Sequence, residues 1–164
     1  MRRKIQFVSF NDLESDLASL EISGIVQTTG IWSFYQILEH IDDNLQNSMH
    51  GFPVLFPSLI RKTIGKIGLN YLFYKGVMDS GYWNPLTAKY RIEGDERVML
   101  QKLKSTIDEY RKFNGLFALH PVFDQLTKNE WDKLHLMHFS LHLSYCHPDS
   151  SVKRKLTKPS FSII

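Results

Sequence analysis

Cysteine is nearly absent from this chain, with Cys146 the single one among 164 residues. An internal disulfide and a Cys-x-x-Cys metal or redox pair are thereby excluded. A lone thiol suits a reducing compartment, so the cytoplasm is the expected location. Long apolar runs are missing too. No stretch approaches the roughly 20 residues that span a bilayer, so no transmembrane segment is expected. Met1-Arg2-Arg3-Lys4 has the charge of a secretory leader, but Phe7 to Asp16 brings acidic and polar residues where a continuous apolar segment would be needed. Charge of one sign is scarce as well. The formal net charge is +3, and Lys153, Arg154, Lys155 and Lys158 against Asp149 carry that whole excess. Residues 1–148 are neutral and lack the basic excess that displaces counterions from phosphate, so no nucleic-acid partner is expected. The chain also lacks a Gly-rich phosphate loop, a Gly-x-Ser-x-Gly elbow and any internal repeat.

A chain of this length can bury about 70% of the surface its unfolded form exposes, enough for one domain without a disulfide. The domain is expected over 1–148, followed by a basic, flexible tail over 149–164. The periodicity is helical almost throughout, which predicts an all-α fold. Arg2 to Ser9 alternates weakly and reads as extended, Asn11 with Glu14 signals the start of a short N-terminal helix, and Gly24 signals its stop. A longer helix is expected from near Gly30 to Met49. Its apolar arc is Phe34, Ile37, Leu38, Ile41, Leu45 and Met49, with Glu39, Asp42, Asp43 and Gln46 on the far side. His40 falls at the border of that arc, one turn from both Gln36 and Asn44, where it can face a polar pocket.

Pro57 is placed to open a third helix through about Tyr74. Leu59, Ile60, Ile64, Ile67, Leu69, Leu72 and Phe73 are interleaved there with Arg61, Lys62, Lys66 and Lys75. That is more apolar surface than one face of a small bundle can bury, so a homodimer is expected. Gly76 to Gly94 reads as a long irregular crossover. Asp95 then caps a helix through about Phe113, with Met99, Leu103, Ile107 and Tyr110 inward. The last helix opens on a capping box, Thr127 with Glu130, flanked by a Leu126/Trp131 staple. It is expected to continue until Pro148, with Lys133, Ser140 and Ser144 facing solvent.

The chemistry concentrates on that helix. His135, His138 and His142 follow at i, i+3 and i+7, on one stripe opposite the presumed solvent edge. Imidazoles buried among Leu136, Met137, Leu141 and Leu143 cost free energy unless each ring nitrogen finds a partner, and a transition metal satisfies several rings at once. A helical His-x-x-x-His such as His138 and His142 can clasp one ion; a further ligand must come from elsewhere in the fold. Without a metal the same residues would be core histidines bonded to carbonyls or waters. His50, at a helix end, and His147, before Pro148, read as ordinary surface groups, and Cys146 as a buried, inert thiol.

Trp32 followed by His40, then His120-Pro-Val-Phe, Leu126-Thr-x-x-Glu-Trp and the closing Leu-His-x-x-His-x-x-x-His together resemble the DinB/YfiT-like superfamily. The nearest resemblance is to its branch of uncharacterised DinB-like proteins, over about residues 2 to 147. The resemblance implies a four-helix bundle, here with an extra short N-terminal helix and a long crossover loop. It also implies a divalent transition metal, Zn, Ni or Fe, held by His40, His138 and His142. His135, His120, Gln36, Asn44 and Tyr145 are then candidates for supporting the ligands or lining the pocket. This chain departs from the superfamily after the final histidine, where Leu143-Ser-Tyr145 replaces the frequent Arg or Gln. Leu141 stands where the branch often has another histidine. Relatives include thiol-dependent S-transferases and a thiol-dependent isomerase, in which a metal activates a low-molecular-weight thiol. The function this implies is a metal-dependent enzyme acting on a small-molecule substrate, S-transferase-like or hydrolase-like. The alternative is a non-catalytic binding or stress-associated protein whose histidine cluster is structural or vestigial.

Overall fold

Helix α1 (Phe10–Ser23) begins on a serine. Ser9 Oγ accepts the Asp12 amide and the Asp12 carboxylate accepts the Ser9 amide, a reciprocal cap made two residues ahead of the expected Asn11/Glu14 pair. Glu14 instead receives Arg111 at 2.7 Å. Gly24 ends the helix at φ +69°, a left-handed position that costs glycine nothing. The computed structural model describes residues 1–80 and 93–149. Most of the expected crossover, 81–92, and the tail from 150 onward lie outside the described residues.

After α1 the chain makes a three-residue strand, β1 (Val26–Thr28), and then α2 (Phe34–His50), capped by Ser33 and Gln36 rather than starting near Gly30. The apolar arc of α2 is buried as its periodicity predicts, and so is Asp42, which the same wheel puts outside. The reason is that α2 packs on two neighbours, α5 (Glu96–Lys112) and α6 (Lys128–Leu143). Asp42 lies on the α5 side and meets Lys102 Nζ at 2.7 Å. Before α5 comes an arm built from α3 (Ser58–Ile60), a π-helical turn (Arg61–Gly65) and α4 (Lys66–Lys75). Asp95 caps α5 by accepting the Arg97 and Val98 amides, and Met99, Leu103, Ile107 and Tyr110 are buried as expected.

The arm is tied down by polar contacts more than by apolar ones. Arg61 is buried, donates from Nε to the Phe56 carbonyl at 2.8 Å and pairs with Asp124. Asp124 sits at φ +64° in a tight loop closed by reciprocal backbone bonds with His120. Gly65, inside the π turn, lies against this loop so closely that a Cβ there would run into the Val122 carbonyl oxygen.

Helix α6 starts on the Thr127/Glu130 box with Trp131 buried beneath it. Its other end differs from the expected one. The helix stops at Leu143, and Cys146–Pro148 forms strand β2, antiparallel to β1 with Gln27 opposite His147. Ser140 and Ser144 are buried, not solvent-facing, because the N-terminal segment lies over that side of α6. Phe7 N donates to Ser140 Oγ at 2.9 Å and Arg3 N to the Ser144 carbonyl at 2.7 Å. Arg3 also binds Asp16 through two parallel bonds, so the segment clamps α6 to α1. The fold is thus mostly helical, with a small two-stranded sheet added, and none of its described helices is long and apolar enough to cross a membrane.

The Gly65 contact gives a test of how the arm is held. Gly65→Ala is expected to destabilise the protein by about 3 kcal/mol, because the added methyl meets backbone and not a movable side chain. Urea unfolding of the two proteins measures it; an unchanged midpoint would mean the arm is not seated on the 120–124 loop.

Candidate metal centre

α2 and α6 pack side by side, and that contact brings His40 from one helix to His138 and His142 on the other. Four residues separate the last two, so they project from successive turns of one face of α6. His40 Nε2 lies 3.1 Å from His138 Nε2. One nitrogen from each of the three rings falls within 4.8 Å of the others. A tetrahedral ion with bonds of about 2.0–2.1 Å needs donor nitrogens about 3.3 Å apart, so this cluster could hold one with small side-chain adjustments. His40 is buried, while His138 and His142 are half-buried, which places the cluster at the edge of the core.

Burial decides the charge of these rings. His40 is pushed down to about 3, first by burial and then by His142. His142 is pushed down to about 4 by burial. His138 is held well below the usual histidine value, by burial first and the neighbouring histidines next. All three are therefore neutral at pH 7 with lone pairs to offer, the state a metal requires. Beside burial, the neighbours that hold His40 and His138 down are other histidines.

Asn44 is the expected candidate that does reach the triad. Its amide nitrogen lies 2.9 Å from the His40 carbonyl oxygen and 3.4 Å from His40 Nδ1, on the side of the ring away from His138. The bond to the carbonyl oxygen holds the Asn44 amide against the Nδ1 side of the His40 ring. Gln36 is committed elsewhere, its side-chain oxygen accepting the Ser33 amide at the start of α2. Tyr145 packs against Gly30 and beneath the Arg2 guanidinium.

His135 shares the stripe of His142 but not its height. Seven residues are two helical turns, or about 10 Å along the axis, and the His135 ring stacks on Trp131 at 5.1 Å and meets Tyr110 edge-on. Its Nε2 has no hydrogen-bond partner among the described residues. His120 Nδ1 accepts the Val122 and Phe123 amides at 3.0 Å each, which makes it the pivot of the 120–124 loop. Cys146 is fully buried and its thiol is pushed up to about 12, chiefly by burial, so it is no nucleophile near neutral pH. His147 belongs to β2 rather than to a surface turn, and His50 meets Glu109 at the surface.

Trp32 is the neighbour that periodicity did not single out. Its ring stacks on His142 at 5.6 Å and 11° and meets His40 edge-on at 5.0 Å, walling one side of the triad. It precedes α2 in irregular chain, where no helical spacing relates it to His40.

Two further histidines carry a pH signature of their own. Burial holds His120 and His135 at about 3, against about 6.5 unfolded. A lowered pKa means that the fold keeps the neutral form, so this stability is complete above about pH 6.5 and is lost as pH falls toward 3. Each ring should contribute a slope of about 1.4 kcal/mol per pH unit in that window. His135→Phe removes one proton from the linkage and an unpaired buried nitrogen. It should leave neutral-pH stability unchanged or raised and make the acid limb of a stability–pH profile shallower by about one proton. An unchanged slope would show that His135 is not buried neutral.

No curated protein and no solved structure matches this chain. A family model described as a protein of unknown function (DUF1569) matches residues 1–149. That span takes in α2 with His40, the 120–124 loop and α6 with His138 and His142, and by it the chain belongs to the DUF1569 family.

Proposed function

We propose that the chain is a metal-dependent enzyme of the DinB-like, four-helix-bundle kind, acting on a small molecule in the cytoplasm. His40, His138 and His142 hold a divalent transition metal in this reading. The observation that carries it is the convergence of three neutral imidazoles from two helices, with donor atoms within 4.8 Å of one another. Four-coordinate ions commonly take three protein ligands in catalytic sites and leave one position open. Three imidazoles leave the ion's +2 charge uncompensated, and when bound it would lower the pKa of a water or thiol enough to give a nucleophile near neutral pH. Imidazole donors suit Zn, Ni and Fe alike.

The chain's own groups divide the remaining work. Asn44 braces the Nδ1 side of the His40 ring, and Trp32, stacked on His142, keeps water from one side of the cluster. A low-molecular-weight thiol is the preferred nucleophile source, which makes the reaction S-transferase-like; activation of water makes it hydrolase-like. A second reading is favoured by one distance. At 3.1 Å, His40 and His138 can satisfy each other as donor and acceptor without an ion, the arrangement of a structural or vestigial cluster in a non-catalytic protein.

Elemental analysis of protein purified without a metal-affinity tag should find about one equivalent of a transition metal. His40→Ala, His138→Ala and His142→Ala should each lose it, while Asn44→Leu should retain the stoichiometry with affinity lower by about 10–100-fold. His138→Ala with full metal content would overturn the three-histidine site.

Titration of apoprotein with Cu(II) should quench tryptophan fluorescence, and most of that quenching should disappear in Trp32→Phe, because among the described residues Trp32 is the indole in contact with the ligands. Holo and apo protein then separate enzyme from scaffold. Thiol consumption with electrophilic acceptors, or hydrolysis of an ester and amide panel, should require metal and rise with pH. Metal-dependent melting without turnover on any of these substrates would favour the structural reading.

A further inference from the structure

The arm from Ser58 to Lys75 turns Arg61, Gly65 and Leu69 toward the body and leaves an apolar stripe on its outer side. Leu59, Ile64, Ile67, Tyr71 and Tyr74 form this stripe and are each between 65% and 89% exposed. Their spacings are five, three, four and three. Three and four are the helical steps that keep residues on one face. The five-residue step spans the π-helical turn Arg61–Gly65, where i→i+5 bonding accommodates about one more residue per turn, so the stripe stays continuous through the irregularity.

We infer that this stripe is an isologous interface on which a second copy of the chain docks. Five such side chains, each offering on the order of 100–150 Å², present about 600 Å² per protomer and about 1,200 Å² across a two-fold pair, the lower bound for a specific interface. Charge argues for a second copy over an anionic surface. No carboxylate occurs from Phe52 to Met78, yet the cations of the arm are largely engaged within the chain. Arg61 pairs with Asp124, Lys75 pairs with Asp79, and Lys66 donates to the Gln125 carbonyl at 2.6 Å. The stripe itself is neutral, and a two-fold axis sets leucine, isoleucine and tyrosine against the same residues with no like charges in register. The two tyrosines supply large, stiff contact area, the kind that dominates interface energetics. This interface is independent of the metal centre, which is built from α2 and α6.

Sedimentation velocity of the full chain tests it. The wild type is expected at twice the monomer mass at micromolar concentration. Ile64→Glu and Ile67→Glu, both solvent-facing in the monomer and therefore compatible with folding, should each weaken association at least about tenfold by placing charge in the interface. Leu116→Glu, more exposed still but outside the stripe, should leave it unchanged. A wild type that stays monomeric to high micromolar concentration overturns the inference, as does a dimer indifferent to both isoleucine variants. A monomer that co-sediments with phosphatidylserine vesicles and releases them in Ile67→Glu overturns it in favour of a lipid surface.

Discussion

The candidate centre depends on α2 being packed on two sides at once. Against α5 it buries Asp42 beside Lys102, and against α6 it delivers His40 to His138 and His142. A helix buried along a single stripe could satisfy either contact but not both. The apolar residues of α2 fix its rotation: Ile37, Leu38, Ile41 and Leu45 are fully buried, so turning the helix to relieve one polar contact would expose part of that core. The polar groups on its flanks must therefore find partners where they lie, and they do so on different neighbours.

Burial sets the chemistry of these polar groups in opposite ways. Carboxylates and guanidinium groups withdrawn from solvent meet each other, as Arg61 does Asp124 in the interior and Arg3 does Asp16 at its edge. Histidines take the cheaper course of staying neutral. At the triad that neutrality frees nitrogen lone pairs toward a common point. At His120 it lets Nδ1 accept two backbone amides and hold a loop. At His135 it leaves a ring stacked among aromatics with one nitrogen unpaired. One residue type thus serves three ends within a short distance, and what distinguishes them is the set of atoms each ring meets.

The arm stands apart from this core. It contributes one fully buried large apolar side chain, Leu69, and is otherwise held by Arg61, by the close approach of Gly65 to Val122 and by the half-buried Leu72 and Phe73. Elements fastened by a few polar ties and little apolar area open more readily than core helices. The arm's exposed isoleucines and tyrosines are what a second copy would cover.

The sequence by itself determined where most of the helices lie and where the last two begin, because capping and periodicity are local; the starts of α1 and α2 fall a few residues from the expected ones. Thr127 with Glu130, Asp95 before α5, and the apolar arcs of α2 and α5 depend on residues within a turn or two of one another. It also singled out His138 and His142 as a pair, since four residues on a helix are neighbours in space whatever surrounds them. The rest was decided by tertiary structure. The two three-residue strands pair across most of the chain's length and carry no pattern of their own. Ser140 and Ser144 are buried only because the N-terminal segment lies over them, and Asp42 only because α5 does. The distance from His40 to α6 and the place of Trp32 against two rings are set by how helices pack. Helical spacing fixes angle and height within one element, and nothing local fixes the distance between two.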